Sequence, residues 1–179
     1  MINFRQHEEG EVSFIQQLFT SVFADSEGQP EGLLIGNLAL ELATDADRRN
    51  IYCFVAEQGD QILGAIFFSR LTFASDVPVF ILAPVAVDTN HQGQGIGQNL
   101  IKHGLAELKK TGVKVAITYG DPAFYSKVGF LPLSQNTIPA PHTLSQPEGW
   151  LGQSLDGSCI ETILGHCSCV KALNNPVYW

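Results

Sequence analysis

The residues from Leu82 to Leu100, LAPVAVDTNHQGQGIGQNL, constrain this chain more than any others. They begin as an apolar strand (Val85-Ala86-Val87), pass through a polar turn (Asp88-Thr89-Asn90) and reach a glycine-rich corner, Gln92-Gly93-Gln94-Gly95-Ile96-Gly97. Leu100, Ile101, Leu105 and Leu108 follow at the spacing of one helix face. A strand, a glycine corner and a helix start together make the layout of an anion site. The first turn of a helix carries backbone N–H groups with no partner in the helix, and the macrodipole adds partial positive charge there. Glycine at 93, 95 and 97 removes the Cβ atoms that would hold a phosphate away from those N–H groups.

The spacing narrows the kind of phosphate. A P-loop needs Lys and then Ser or Thr after its last glycine, and Gly97 is followed by Gln98-Asn99. A dinucleotide fingerprint needs G-x-G-x-x-G, whereas Gly93, Gly95 and Gly97 alternate. A glycine-rich connector with no ligand is the plain alternative. The corner resembles the Q/R-x-x-G-x-G/A signature of the GNAT superfamily of acyl-CoA-dependent N-acetyltransferases, with Gln92, Gly95 and Gly97 on the signature positions. That resemblance implies that Gln92, Gly93, Gln94, Gly95, Ile96, Gly97 and Gln98 cradle the pyrophosphate of coenzyme A.

A second stretch lies about 25 residues further on. Asp121-Pro122-Ala123-Phe124-Tyr125-Ser126-Lys127-Val128-Gly129-Phe130 resembles the superfamily's A-x-F-Y-x-k-x-G-F segment. Two motifs in the right order are more specific than either alone. By this resemblance Tyr125 donates the proton to the CoA sulfur, and Phe124 and Lys127 meet the adenine side and its phosphates. From residue type alone, Tyr125 also reads as a core tyrosine with a satisfied hydroxyl, Phe124 as a core ring and Lys127 as a solvated cation. Asp121 stands where many relatives carry Asn.

Along the chain, Ile2–Phe4 reads as an edge strand and Val12 to Phe23 as a helix, broken by Asp25 to Pro30. Leu33 to Leu42 form a second helix that opens near Pro30, a good first-turn residue, and ends before Asp45. From Ile51 the period changes to two. Ile51–Glu57, a turn at Gln58-Gly59-Asp60 and Gln61–Arg70 read as a hairpin, with Val77–Val87 as the next strand. Pro84 cannot donate to a ladder, so it should mark a bulge or the place where this strand parts from its neighbour. In the superfamily the pantetheine arm of CoA enters such a splay, so the resemblance gives the backbone of Val85, Ala86 and Val87 to the cofactor. A helix from about Gln94 to Lys110 is closed by Gly112, and Val113–Tyr119 follows as a parallel strand. Pro122–Lys127 is a short helix, Phe130–Leu133 a strand, and 134–149 a long proline-bearing connection. Trp150-Leu151, Leu155 and Cys159 to Leu164 are expected to close the sheet, and Pro176 to Trp179 is apolar enough to dock.

The expected fold is therefore α/β (α+β), a mixed, partly splayed sheet of about six or seven strands flanked by helices in a single domain over 1–179. The net charge of −8 is unevenly placed: eleven of the eighteen acidic residues but only three of the ten basic ones lie in the first 61 positions. Phosphate-backbone binding needs clustered Lys and Arg, so nucleic acid is excluded as a partner. A cationic amine suits the acidic end, and so does plain solubility. No apolar run reaches the length of a membrane span, and the first residues turn charged at once, so a cytoplasmic protein with no membrane partner is expected. Cys53, Cys159, Cys167 and Cys169 lack metal-ligand spacing and are expected to be buried structural thiols, with no metal.

The function expected from residues and resemblance together is direct transfer of an acetyl group from acetyl-CoA to a small or peptidyl primary amine; a homodimer is compatible with it. The rival reading is an acyl-CoA-binding sensor that has lost catalysis. No general base is assigned: Glu27, Glu31, Glu57 and Asp88 qualify only as acids near the expected site, and a water chain could take the proton. His91 reads as a turn residue.

Overall fold

Helical periodicity in the first quarter of the chain resolves into two helices joined at one residue. The computed structural model describes all residues, Met1–Trp179. Helix α1 (Val12–Glu27) buries Ile15, Phe19 and Val22, an i, i+4, i+7 stripe. It runs through the acidic stretch expected to break it and stops at Gly28, whose φ of 99° no L side chain adopts without strain. Helix α2 (Gln29–Thr44) starts immediately afterwards, with Pro30 in its first turn. The two helices cross closely because α2 offers glycine at the contact. A Cβ on Gly32 would lie 2.5 Å from the Thr20 carbonyl oxygen, and one on Gly36 would overlap the Thr20 hydroxyl.

The seven strands are β1 (Asn3–Gln6), β2 (Ile51–Gln58), β3 (Gln61–Leu71), β4 (Val79–Val87), β5 (Val115–Tyr119), β6 (Leu131–Pro132) and β7 (Trp150–Ser154). Their order in one open sheet is β1-β2-β3-β4-β5-β7-β6. Strands β4 and β5 are parallel, while β1–β2, β5–β7 and β6–β7 are antiparallel, so the sheet is mixed. Helix α3 (Ile96–Lys110) is the crossover between β4 and β5, and Gly112 (φ 87°) ends it by donating to the Lys109 carbonyl. The fourth helix, α4 (Pro122–Tyr125), continues as a 3₁₀ turn over Ser126–Val128. No helix is long and apolar enough to cross a membrane.

By contact the chain divides into two compact units, residues 1–68 with 84–104 and residues 69–83 with 105–179. In the first, Phe19 of α1 meets Phe67 of β3 at 5.7 Å between ring centroids, and Leu38, Leu42, Val55 and Ile66 are also buried. Arg5 on β1 reaches the carboxylates of Glu11 (Nη1–Oε2 3.0 Å) and Glu57 (Nε–Oε2 2.8 Å), tying the edge strand to the turn that precedes α1 and to β2. In the second unit, Phe80, Ile81, Ile117, Phe130 and Trp150 are buried, and Trp150 donates its indole N–H to the Ile138 carbonyl at 3.0 Å. That bond gives the long 134–149 connection an internal anchor. The C-terminal segment docks as expected, with Trp179 buried, stacked on Tyr119 and donating to the Leu173 carbonyl.

Two expectations need correction. Cys159 to Leu164 adds no strand. The Asp156 carboxylate accepts from the Ser154 hydroxyl and the Ser158 N–H, both at 2.9 Å, and Gly157 turns the chain at φ 80°, so the ladder stops at Ser154. The residues beyond carry Glu161, Thr162 and Leu164 to the surface. Nor are all four thiols buried. All are free, but Cys159 is exposed and Cys169 half-buried.

Candidate active site

Strand β4 leaves its partner where proline predicts. Its register with β5 ends at Leu82↔Thr118, two residues before Pro84, while β5 runs on to pair Tyr119 with Trp150 of β7. The backbone of Val85, Ala86 and Val87 therefore continues beyond that ladder, with Ala86 buried and both valines half-buried. On β3, Gly64 allows the close approach: a Cβ there would lie 3.2 Å from the Ala86 carbonyl oxygen.

The corner follows directly. The Asp88 N–H donates to the Leu63 carbonyl at 2.8 Å, and the Asp88 side chain caps a 3₁₀ turn (Thr89–His91) by accepting from the Asn90 N–H at 3.0 Å. His91 Nδ1 lies 2.8 Å from the same carboxylate; this contact and the Asn90 N–H hold the Asp88 carboxyl below the usual range. Gln92 turns its amide back to the Val87 carbonyl at 3.0 Å, bracing the corner against the end of the strand. Gly93 (φ 75°) and Gly95 (φ 79°) both take the left-handed conformation. A Cβ on Gly93 would meet no protein atom within 4 Å, so that side of the loop is open. Helix α3 begins at Ile96, two residues later than expected, and the Asn99 N–H already bonds the Gly95 carbonyl. The N–H groups of Ile96, Gly97 and Gln98 thus precede the first intrahelical bonds. Gln94 is exposed, Gln98 half-buried, and Ile96 and Gly97 are buried. Left-handed glycines, an open face and a helix start fit a diphosphate.

Tyr125 sits in the second unit. Asp121 caps α4 by accepting from the Ala123 N–H at 2.9 Å, and Pro122 fixes the first turn. The Tyr125 ring meets the rings of Phe124 (5.0 Å) and Phe130 (5.9 Å) edge-on. Gly120 makes room for it, since a Cβ there would fall 2.7 Å from Tyr125 Cε2. Tyr125 is half-buried, and burial pushes its phenol up to about 12. Nearby in the same unit, the buried Thr118 hydroxyl donates to the Leu82 carbonyl at 2.9 Å, across the last rung of the β4–β5 ladder. Phe124 is half-buried and Lys127 exposed.

Sequence reasoning missed Thr118 and Gly120. The only signal for Thr118 is one hydroxyl within the apolar run Val115-Ala116-Ile117, and for Gly120 its place just before the capping aspartate.

The acidic candidates for a base are mostly committed elsewhere. Glu57 serves Arg5 and Asn3, and Asp88 serves its own turn. Glu11, Glu57 and Asp88 do line a cavity of about 560 Å³ beside Phe14 and Leu18 of α1, but there too the two glutamates are occupied by Arg5. Glu27 is exposed at the end of α1 and Glu31 half-buried at the start of α2.

Residues 49–132 match the acetyltransferase (GNAT) domain family. The chain is 28% identical over 168 residues to the uncharacterized N-acetyltransferase YjhQ of Escherichia coli K12, covering 90% of this chain and 88% of that one. Among solved structures it resembles the GNAT family N-acetyltransferase YhbS of Escherichia coli in complex with CoA, with a TM-score of 0.82 and 22% identity over 97% of this chain and 92% of that chain. A GNAT family acetyltransferase from Brucella melitensis in complex with acetyl-CoA gives a TM-score of 0.71 at 24% identity, over 97% of this chain and 99% of that chain.

Proposed function

We propose that this chain is an acetyltransferase of the GNAT superfamily and that it transfers the acetyl group of acetyl-CoA directly to a primary amine. The observation that carries the reading is the corner at 92–98, where two left-handed glycines and the start of α3 offer main-chain N–H groups on an open face. Gln92, Gly93, Gln94, Gly95, Ile96, Gly97 and Gln98 would hold the pyrophosphate there. The backbone of Val85, Ala86 and Val87, past the end of the β4–β5 ladder, would pair with the pantetheine arm as an added strand does. Phe124 and Lys127 would serve the nucleotide end. Acetyl-CoA supplies an activated thioester.

In the transfer, the amine lone pair forms the new C–N bond at the thioester carbon and the C–S bond breaks. Tyr125 gives its phenolic proton to the departing sulfur. Its raised affinity for that proton keeps it in the acid form at neutral pH, as a proton donor requires. The amine must shed a proton before attack, since an alkyl ammonium has a pKa near that of Lys, about 10.4. With Glu57 and Asp88 engaged elsewhere, we assign that proton to water. Four free thiols fit a reducing compartment, and we place the protein in the cytoplasm.

The test is CoA release with acetyl-CoA across amines, amino acids, polyamines, aminoglycosides and peptides. Release that depends on one acceptor class supports the transferase. Measurable CoA affinity with no release on any acceptor would overturn it in favour of an acyl-CoA sensor.

A further inference from the structure

The cavity of about 560 Å³ beside α1 has no part in the proposed transfer, since none of Val85, Ala86, Val87 and Tyr125 lines it. It is a groove along one face of the helix. Phe14, Leu18 and Ser21 recur there at i, i+4 and i+7, on the face adjoining the buried stripe of Ile15, Phe19 and Val22. The turn between β2 and β3 supplies more of the wall, and Ile62 adds a third apolar side chain. Polar ties hold both ends. At one, Arg5 joins Glu11 to Glu57. At the other, the Thr89 hydroxyl donates to the Asp25 carboxylate at 2.8 Å, one helical turn past Ser21 and one residue after Asp88. The helix is thus pinned at each end of an open middle.

Two features of the lining set the occupant. Phe14 leaves an apolar ring 64% exposed, which favours a ligand with apolar surface of its own. Four carboxylates, those of Glu11, Glu57, Asp60 and Asp88, meet a single cation, Arg5. Arg5 answers the two glutamates, whereas Asp60 pairs with no protein group. Both contacts of the Asp88 carboxylate use Oδ1, so Oδ2 is free. A compact metal ion would use the charge and leave the ring bare, and a neutral apolar molecule would do the reverse. A flexible alkyl chain bearing ammonium groups uses both, and the volume lies in the range of small-ligand sites. We propose that this groove is a second binding site, for a linear polyamine whose alkyl segments lie on Phe14, Leu18 and Ile62 and whose ammonium groups donate to Asp60 and to Asp88 Oδ2.

Isothermal titration of the intact chain with spermine, at about 0.15 M NaCl and without acetyl-CoA so that no transfer occurs, reads the site directly. Phe14→Ala should weaken spermine about tenfold and Asp60→Asn about fivefold, with CoA affinity unchanged in both. Both residues are exposed, so neither change threatens folding. Leu33→Ala, at an exposed leucine of α2 outside the groove, should bind spermine as the parent does. No binding of spermine would sink the proposal. So would binding that both groove variants leave unaltered, which would mean diffuse attraction to a chain of net charge −8 or uptake at the acceptor position. Mg2+ binding that Asp60→Asn weakens and Phe14→Ala does not, with spermine no tighter than Mg2+, would make the groove a plain cation site. A tetralysine peptide that binds where spermine does not would make the occupant a basic peptide, and the polyamine assignment would fall. CoA titrated in parallel keeps each of these outcomes apart from the fate of the transferase reading.

Discussion

Tyr125 owes its setting to smaller neighbours: Gly120 clears its ring, and Asp121 and Pro122 fix the turn that carries it. Replacing it with Phe keeps the ring packing and removes the proton, so kcat should drop by about 10² while CoA affinity holds. Single-turnover CoA release beside equilibrium CoA binding separates the two effects, and an unaltered rate would take Tyr125 out of the chemistry. The glycines of the corner make an equally local prediction. At Gly95 (φ 79°) an L residue bears a left-handed cost of about 1–2 kcal/mol, although the nearest outside atom is 3.9 Å from its Cβ. Gly95→Ala should therefore weaken acetyl-CoA by about tenfold through backbone rearrangement, as calorimetric titration would read. Both motifs were legible because each needs particular residue types at fixed spacing. Gly120 was not, because a glycine at the end of a strand says nothing about which ring a later helix will bring against it.

The elements show the same division between what spacing dictates and what only assembly decides. The stripe Ile15, Phe19, Val22 announces α1, and Pro84 announces the end of the β4–β5 ladder. The absent strand at Cys159 to Leu164 was illegible because it depends on Asp156 gathering two serines rather than on hydrophobic period. Tight crossing of α1 and α2 is likewise invisible until Gly32 is seen against Thr20 and Ala24. Gly32→Ala sets two effects against each other. Alanine gains about 1 kcal/mol of helix propensity, but its Cβ must enter space 2.5 Å from a backbone oxygen. Overpacking of about 1–3 kcal/mol should win, lowering the urea midpoint, and a stabilised variant would show the crossing to be slack. A second element-scale prediction concerns the Arg5 staple. Its guanidinium, hydrogen-bonded to both carboxylates, holds Glu11 and Glu57 below their ordinary value of 4.5. Depressed carboxylates stabilise the fold above that value, and the contribution disappears as pH falls through the lowered ones. Thermal melts should thus decline below about pH 4.5, and Glu11→Gln should flatten the decline while costing about 1 kcal/mol at pH 7.

For the molecule as a whole, a ligand that binds only the folded chain adds stability by mass action. CoA at a hundred times its Kd contributes about 2.7 kcal/mol, a rise in Tm of about 5–10 °C for a chain of this length. Scanning fluorimetry with CoA and with ATP would read it. ATP stabilisation with no response to CoA would reassign the corner to a nucleotide. The four cysteines bear on how turnover can be followed. Burial pushes the thiols of Cys53, Cys167 and Cys169 up, which keeps them protonated and slow, whereas Cys159 lies exposed just past the Asp156 turn. A chromogenic disulfide used to count liberated coenzyme will therefore also titrate the enzyme, consuming about one equivalent before any substrate is added. Cys159→Ser clears that background, and the same side chain left in place offers a single address for a fluorophore.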